Sequence, residues 1–274
     1  MLEIIPLEAY GWGVAAVLGV MTLFWTLSLR INDVSIVDMI WGPAFAIAAW
    51  VYASVGLGLD EAVSAPWRLL PLILVTVWGL RLGLHIFWRH DGEDRRYQKM
   101  RRKVGPFFRW RALLTVFLLQ GVLVAIISWP LLFAVTAPRP ERLTWLDFLG
   151  VGFWLVGFFF EAVGDWQLTK FKADPGNRGQ VLDTGLWRYT RHPNYFGDAC
   201  LWWGFGVMSL NAEGSLSLPV LSVVSVGLMT FFLLKVSGVT LLERDIAERR
   251  PAYRRYIERT SAFLPRPPKS IPDS

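Results

Sequence analysis

The feature that most constrains this chain is a succession of apolar stretches, each nearly long enough to cross a lipid bilayer. Runs at about 7–29, 36–58, 67–88, 112–135, 145–165, 194–211 and 217–241 approach the roughly 20 residues a helix needs to span hydrocarbon. The expected fold is therefore all-α: a polytopic membrane protein of about seven transmembrane helices. Apolar residues make up 54% of the chain and charged residues only 18%, below the roughly 25% of soluble domains. The 15 tryptophans fit the same reading, because Trp favours the boundary between headgroup and hydrocarbon. The first run is introduced by Glu3 and Glu8 rather than by a basic start, so it reads as an uncleaved helix and not a secretory signal. The lone Cys200 leaves no intramolecular disulfide and no multi-cysteine zinc site, and no metal is expected.

The cations sort the connections into two sides. One set collects Arg30, nine residues between 89 and 111, five between 170 and 191, and eight between 244 and 269. The other set holds Arg68, Arg139 and Arg142, while Arg81 and Lys235 lie within spans. The positive-inside rule then places the amino terminus outside and the carboxyl terminus in the cytoplasm. On this reading residues 1–265 form one transmembrane helical domain with cytoplasmic segments 89–111, 165–194 and 243–260, and 266–274 is a frayed tail. No internal repeat is evident, so an inverted-repeat transporter has no support.

Ionisable groups inside a bilayer are costly and usually face a bundle interior or a wet cavity. Asp38, Arg81, His85, Glu161, Asp165, Asp198 and Lys235 are such groups, and most fall towards the cytoplasmic ends of their runs. Some have plain structural readings: Arg81 as the neutralising partner of Asp38, Lys235 as a snorkelling side chain, and His85 as a satisfied core donor. Glu161 and Asp165 are four apart and share a helical face. With Asp198 they make three like charges that repel unless cations or donor-rich ligand groups sit between them.

The polar stretch from 161 to 204 supplies those cations in Lys170, Lys172, Arg178, Arg188 and Arg191. Arginine can fork onto phosphate oxygens. The PGNRG turn at 175–179, which includes Asn177, offers glycines that bring backbone amides near an anion. The acidic and amide groups Glu161, Asp165, Asn194 and Asp198 suit ribose hydroxyls or a carboxamide. The combination suits a dinucleotide with phosphates at one end and neutral polar groups at the other. No GxGxxG follows a strand, so a Rossmann domain is excluded as its holder. The remaining cations alternate with carboxylates and lie beside the bilayer, which fits topology and anionic lipid; no nucleic-acid partner is expected.

The string GLWRYTRHPNYFGD at 185–198, preceded by DWQLTKFK at 165–172, resembles the steroid 5-alpha-reductase-like superfamily of membrane enzymes. It looks like a bacterial group within that superfamily, which implies a bacterial inner membrane as its location; the superfamily also contains sterol reductases and, more distantly, isoprenylcysteine carboxyl methyltransferases. The resemblance is specific over about 160–265. It implies NADPH as cofactor, bound from the cytoplasm by Asp165, Lys172, Asn177, Arg178, Arg188, Tyr189, Arg191, His192, Asn194, Tyr195 and Asp198. Arg89 and Arg95 from the basic connection, and Glu243, Arg244, Tyr253 and Tyr256 from the tail, complete the expected site, which makes 89–111, 165–194 and 243–260 the expected cofactor-binding segments.

One departure bears on the substrate. Steroid 5-alpha-reductases use a glutamate on the second helix and a tyrosine on the third to polarise and protonate an enone carbonyl. Here the third run has no tyrosine and the second offers Asp38. Asp38, His85 and Glu161 are the expected acid or its support, with Tyr97, just beyond the third run, as a further donor. The expected reaction is NADPH-dependent reduction of a conjugated carbon–carbon double bond in a sterol-, steroid- or isoprenoid-like lipid that enters from the membrane. The alternative is S-adenosylmethionine-dependent methyl transfer to a lipid, since the methyltransferase branch shares the run from Arg191 to Gly197. A third reading is a lipid-binding protein without catalysis, which leaves the converging carboxylates unexplained.

Overall fold

The computed structural model describes residues 6–213, 217–236 and 252–270, and among these every regular element is helical. In chain order they are α1 (Leu7–Ile31), α2 (Val37–Gly56), α3 (Leu59–Ser64), α4 (Pro66–Trp88), α5 (Arg95–Val104) and α6 (Phe108–Ala112). There follow α7 (Leu119–Ile127), α8 (Trp129–Thr136), α9 (Trp145–Ala173), α10 (Pro193–Ser209), α11 (Ser217–Phe231) and α12 (Ala252–Arg259). Five stretches are long and apolar enough to cross a membrane: Leu7–Ile31, Val34–Gly56, Pro66–Trp88, Arg95–Ile127 and Trp145–Ala173. The chain is an integral membrane protein in contact with lipid. The expected sixth span falls on α10, which has 17 residues, and the seventh on the shorter apolar helix Val220–Lys235. Residues 237–241 of that last run lie outside the described residues.

Two boundaries differ from the sequence reading for identifiable reasons. The expected fourth span at 112–135 is instead a helix from Arg95 to Ile127, running through a 3₁₀ turn at Gly105–Phe107 and a π-helical stretch at Leu113–Leu118. It stops at Ser128 because Pro130, in the first turn of α8, has no N–H to continue the ladder. The fifth helix does not end near 165 but continues to Ala173, giving 29 residues. Nothing between Asp165 and Ala173 breaks a helix until Asp174 and Pro175. At 1.5 Å per residue α9 is about 43 Å long against a hydrocarbon core of about 30 Å, so its polar end extends past the apolar layer.

The chain divides into two compact units: Met1–Asp147 with Met208–Ser225, and Phe148–Val207 with Val226–Ser274. In the first, α2 is packed between α1 and α4. The α2–α4 contact is backbone against backbone: a Cβ placed on Gly42 would lie 2.7 Å from the Gly79 carbonyl oxygen, and one on Gly83 would lie 2.6 Å from that of Met39. Small residues spaced by four let membrane helices approach this closely. On the other side the Tyr52 ring fills the space left by Gly13 of α1, and its hydroxyl shares a 2.8 Å hydrogen bond with Ser128. The connection before α9 is held by Asp147, which accepts from Arg139 at 2.6 Å, the Thr144 amide at 2.8 Å and Asn211 at 3.1 Å. Arg139 and Asp147 are both buried, so this cation of the sparse side is a structural partner.

In the second unit the same device joins α9 and α10. A Cβ on Gly157 would stand 2.5 Å from the Gly197 carbonyl oxygen, and one on Gly204 would stand 2.6 Å from that of Gly150. Phe196 of α10 packs edge-on against Phe160 of α9, with ring centroids 4.9 Å apart.

Candidate functional site

In the first unit a polar cluster forms where α5 meets the α1–α2 turn. α1 ends at Asn32, whose φ of 56° is left-handed, a conformation Asn tolerates better than most residues. Asp33 then folds back so that its carboxylate accepts from the Ser35 amide at 2.8 Å, and its other oxygen lies 2.8 Å from His90 Nε2. α5 is anchored to this turn from its start. Asp94 caps the helix by accepting from the Arg96 amide at 2.8 Å, and its own amide donates to Ser35 Oγ at 3.2 Å. Glu93 accepts from the Val34 amide at 3.1 Å and from two nitrogens of Arg101 at 2.9 and 2.6 Å.

These anchors turn one face of α5 towards α2. Tyr97, 6% exposed, donates its hydroxyl hydrogen to Asp38 at 2.9 Å, and Arg96 donates to the other Asp38 oxygen at 2.8 Å. Gln120, one helical segment further on, donates to the Tyr97 oxygen at 3.3 Å. The result is a phenol held between an amide and a carboxylate, with a guanidinium beside the carboxylate. Burial pushes the Asp94 carboxyl up, but the Arg96 amide and guanidinium and the Arg89 charge outweigh it and hold Asp94 below the usual carboxylate range.

In the second unit the segment after α9 is tied down at each step. Asp174 accepts from the Gly176 amide at 2.8 Å, so this amide of the PGNRG turn is used within the turn, and Gly179 takes a φ of 81° that glycine permits. Asn177 donates to the Phe171 carbonyl at 3.1 Å, which folds the turn onto the end of α9. The Leu186 amide donates to Gln167 at 3.0 Å, and the buried Trp187 indole donates to the Gly164 carbonyl at 3.1 Å. α10 begins at Pro193, in the first helical position where its missing N–H costs nothing. There Asn194 donates to Asp165 of α9 at 3.2 Å, joining the two helices across the polar boundary.

The tail from 252 to 269 docks on the same segment. Arg191, 7% exposed, donates to the carbonyls of Ile257 at 3.0 Å and Thr260 at 2.5 Å, and its amide donates to the Ser261 carbonyl at 2.9 Å. Thr190 donates to the Phe263 carbonyl at 2.8 Å, and Tyr256 donates to that of Trp187 at 2.5 Å. Further backbone bonds run from the Arg266 amide to the Tyr189 carbonyl and from the Lys269 amide to that of Arg259, both at 2.9 Å. The stretch up to 270, expected from its composition to fray, therefore carries ordered pairing.

The expected site residues fall into distinct environments. Glu161 and Asp165 are buried on α9, at 3% and 5% exposure, and Asp198 is half-buried on α10. His192 is buried with its ring stacked on Tyr195, centroids 5.6 Å apart, and Tyr253 and Tyr256 are buried edge-on to each other at 5.3 Å. Lys172, Arg178, Arg188 and Tyr189 are exposed on the second unit, as are Arg89 and Arg95 on the first. His85 is half-buried on α4. Glu243 and Arg244 lie outside the described residues. Sequence reasoning missed Arg96, Gln120 and Thr190. Arg96 is one of nine cations in its stretch, and the other two are common residue types; their roles come from partners 58, 23 and 73 positions away. Among the described residues no group of His, Cys, Asp and Glu is arranged to hold a metal ion.

Helices of membrane-spanning length, with polar clusters held near their ends, define an integral membrane protein. Within that class, the chain belongs to the family described as protein of unknown function DUF1295, whose profile matches residues 24–260. Among curated proteins it is 23% identical over 273 residues to an uncharacterised protein of Schizosaccharomyces pombe, covering 89% of this chain and 76% of that one. No solved structure matches.

Proposed function

We propose that the protein is a membrane-embedded, NADPH-dependent reductase of a conjugated carbon–carbon double bond in a sterol-, steroid- or isoprenoid-like lipid. The observation that carries this reading is the Tyr97–Asp38 pair: a buried phenol bound to a carboxylate on a neighbouring helix. A reductase of this kind needs an acid beside an apolar substrate, and it needs that acid held in one geometry. Methyl transfer from S-adenosylmethionine needs a proton acceptor at most, and a simple lipid-binding protein needs neither.

NADPH, when bound, supplies the hydride; the protein binds, orients and provides the proton. Lys172, Arg178 and Arg188 are exposed cations on one segment and fit the phosphates. Asn194 and Asp165, already paired at 3.2 Å, fit the neutral polar end of the cofactor, with Glu161 and Asp198 in support. Arg191 acts by holding the tail rather than by touching phosphate, because its Nη1 is committed to two tail carbonyls. On substrate binding the Tyr97 hydroxyl turns its one hydrogen from Asp38 to the substrate carbonyl and gives it up as hydride reaches the β-carbon; the resulting enol takes a proton from water at the α-carbon and returns its hydroxyl proton to the phenolate. Asp38 and Gln120 fix the phenol's orientation, and Arg96 supplies the countercharge to Asp38. Tyr97 is preferred to His85 as the donor because the bond to Asp38 orients its hydroxyl. Arg89 and Arg95 are exposed cations of the first unit whose positive potential suits an anionic ligand. The charge distribution supports seven spans, an external amino terminus, and a site open to the cytoplasm of a cell with an inner membrane.

The test is isotopic. Detergent-solubilised protein is incubated with a lipid extract and NADPH deuterated at the transferable position of the nicotinamide. A lipid product is expected that carries one deuterium and one hydrogen more than its precursor, with Tyr97→Phe forming far less of it. Label that stays in the cofactor, in every extract tried, sinks the reductase reading.

A further inference from the structure

α5 sorts its cations by face, and the outer face has no use in the chemistry above. Arg96, Tyr97 and Arg101 are bound to Asp38, Asp94 and Glu93. Lys99 and Arg102 lie with Arg95 on the arc opposite Tyr97 and Arg101, Lys103 lies at the edge of that arc beside Arg96, and all four of these lysines and arginines are exposed. None of Lys99, Arg102 and Lys103 has a carboxylate within ion-pair distance among the described residues, and the helix itself contains none. Like charges three and four apart on a helix destabilise it. The fold therefore maintains a face that repels itself in the absence of an external anion.

The chain just beyond the helix identifies the anion. Gly105, at a φ of 74°, turns the chain, and within six residues come Phe107 and Trp110, exposed at 72% and 59%, with exposed Arg109 and Arg111 beside Trp110. Trp110 is seated against Trp25 of α1, ring centroids 5.6 Å apart, and the Trp25 indole donates to the Arg109 carbonyl at 2.9 Å. Large aromatics held at the end of a spanning helix, alternating with arginine, match the boundary where headgroups meet hydrocarbon. α5 is the charged start of the Arg95–Ile127 stretch and follows closely on the bilayer-length helix Pro66–Trp88, so this cationic face falls at the membrane surface. Its cations are carried on a convex helix rather than converging on a recess, which suits many small headgroups and not one nucleotide.

We infer that the face formed by Lys99, Arg102, Lys103, Arg109 and Arg111, with Phe107 and Trp110, binds anionic phospholipid headgroups and locks α5 against the bilayer. This is independent of the reductase reading, since none of these residues is assigned to cofactor or substrate. The experiment measures melting of the detergent-purified full chain with added dioleoylphosphatidylglycerol, with dioleoylphosphatidylcholine, with inorganic phosphate, and with a short single-stranded RNA. Phosphatidylglycerol is expected to raise the melting temperature by a few degrees, in a salt-sensitive way, where the other three do not. The triple variant Lys99→Gln, Arg102→Gln, Lys103→Gln is expected to lose that rise while still melting cooperatively in phosphatidylcholine. Should it fail to fold, Arg109→Gln with Arg111→Gln reads the same surface. An equal rise with phosphatidylcholine, a rise reproduced by phosphate or RNA, or a phosphatidylglycerol response unchanged in the variants overturns the inference.

Discussion

At the scale of single residues, groups with fixed partners carry the proposed chemistry and its support. Tyr97→Phe removes only the hydroxyl that donates to Asp38, so the helix contacts stay and the proton donor goes. Turnover is expected to fall by about 10²- to 10⁴-fold, the usual contribution of a positioned acid, with cofactor affinity unchanged. Equal losses in turnover and in NADPH binding would point to a structural role instead. Arg191→Ala strands the carbonyls of Ile257 and Thr260 that it now satisfies. A destabilisation of about 3 kcal/mol is expected from two charge-assisted hydrogen bonds, read as a lower melting temperature. Arg178→Ala, at an exposed position, should leave melting alone and weaken NADPH binding. Asp94 gives a pH signature. Its carboxyl titrates lower in the folded protein than in the unfolded chain, so its contribution is fully present above the unfolded value and is lost as pH falls through the folded one. Asp94→Asn should flatten that acid limb of the stability profile.

At the scale of elements the close helix contacts set what the sequence must supply. Gly157 and Gly152 lie on the same helix, yet a Cβ on the first would meet the Gly197 carbonyl at 2.5 Å and one on the second would meet nothing within 4 Å. Gly157→Ala should lower stability by about 1–3 kcal/mol, the usual cost of overpacking, and Gly152→Ala should be silent. The reverse result in thermal melts would mean the α9–α10 contact is wrongly assigned. Helix existence was legible because length and apolarity settle it: the runs at 7–29, 36–58 and 67–88 correspond to α1, α2 and α4 within a few residues. Ends were less legible. Lys170 and Lys172 read as loop because they are charged, but charge does not break a helix and only Pro175 does. Asp165 and Asn194 were legible as polar groups of one stretch, but the hydrogen bond that joins them was not. The Tyr97–Asp38 bond was not readable, since 59 residues separate partners brought together through the Asp94 cap and the Glu93–Arg101 pair. Arg191 reads from its charge as a phosphate ligand, and nothing in the sequence reveals that tail carbonyls take it up.

At the scale of the whole molecule, membrane integration is fixed by five helices of sufficient length, and the cation distribution supports the proposed sidedness. A single cysteine placed by Lys172→Cys in a Cys200→Ser background should label with an impermeant maleimide only after the cytoplasmic face is opened. Labelling in intact cells would reverse the topology. The central claim is the cofactor, because the roles of Lys172, Arg178, Arg188, Asn194 and Asp165 all depend on it. It is tested by melting the detergent-purified protein with NADPH and, separately, with S-adenosylmethionine. A ligand that binds only the folded state at 100 times its dissociation constant stabilises by about 2.7 kcal/mol. NADPH should therefore raise the melting temperature and S-adenosylmethionine should not; a rise with S-adenosylmethionine and none with NADPH would contradict the reductase reading.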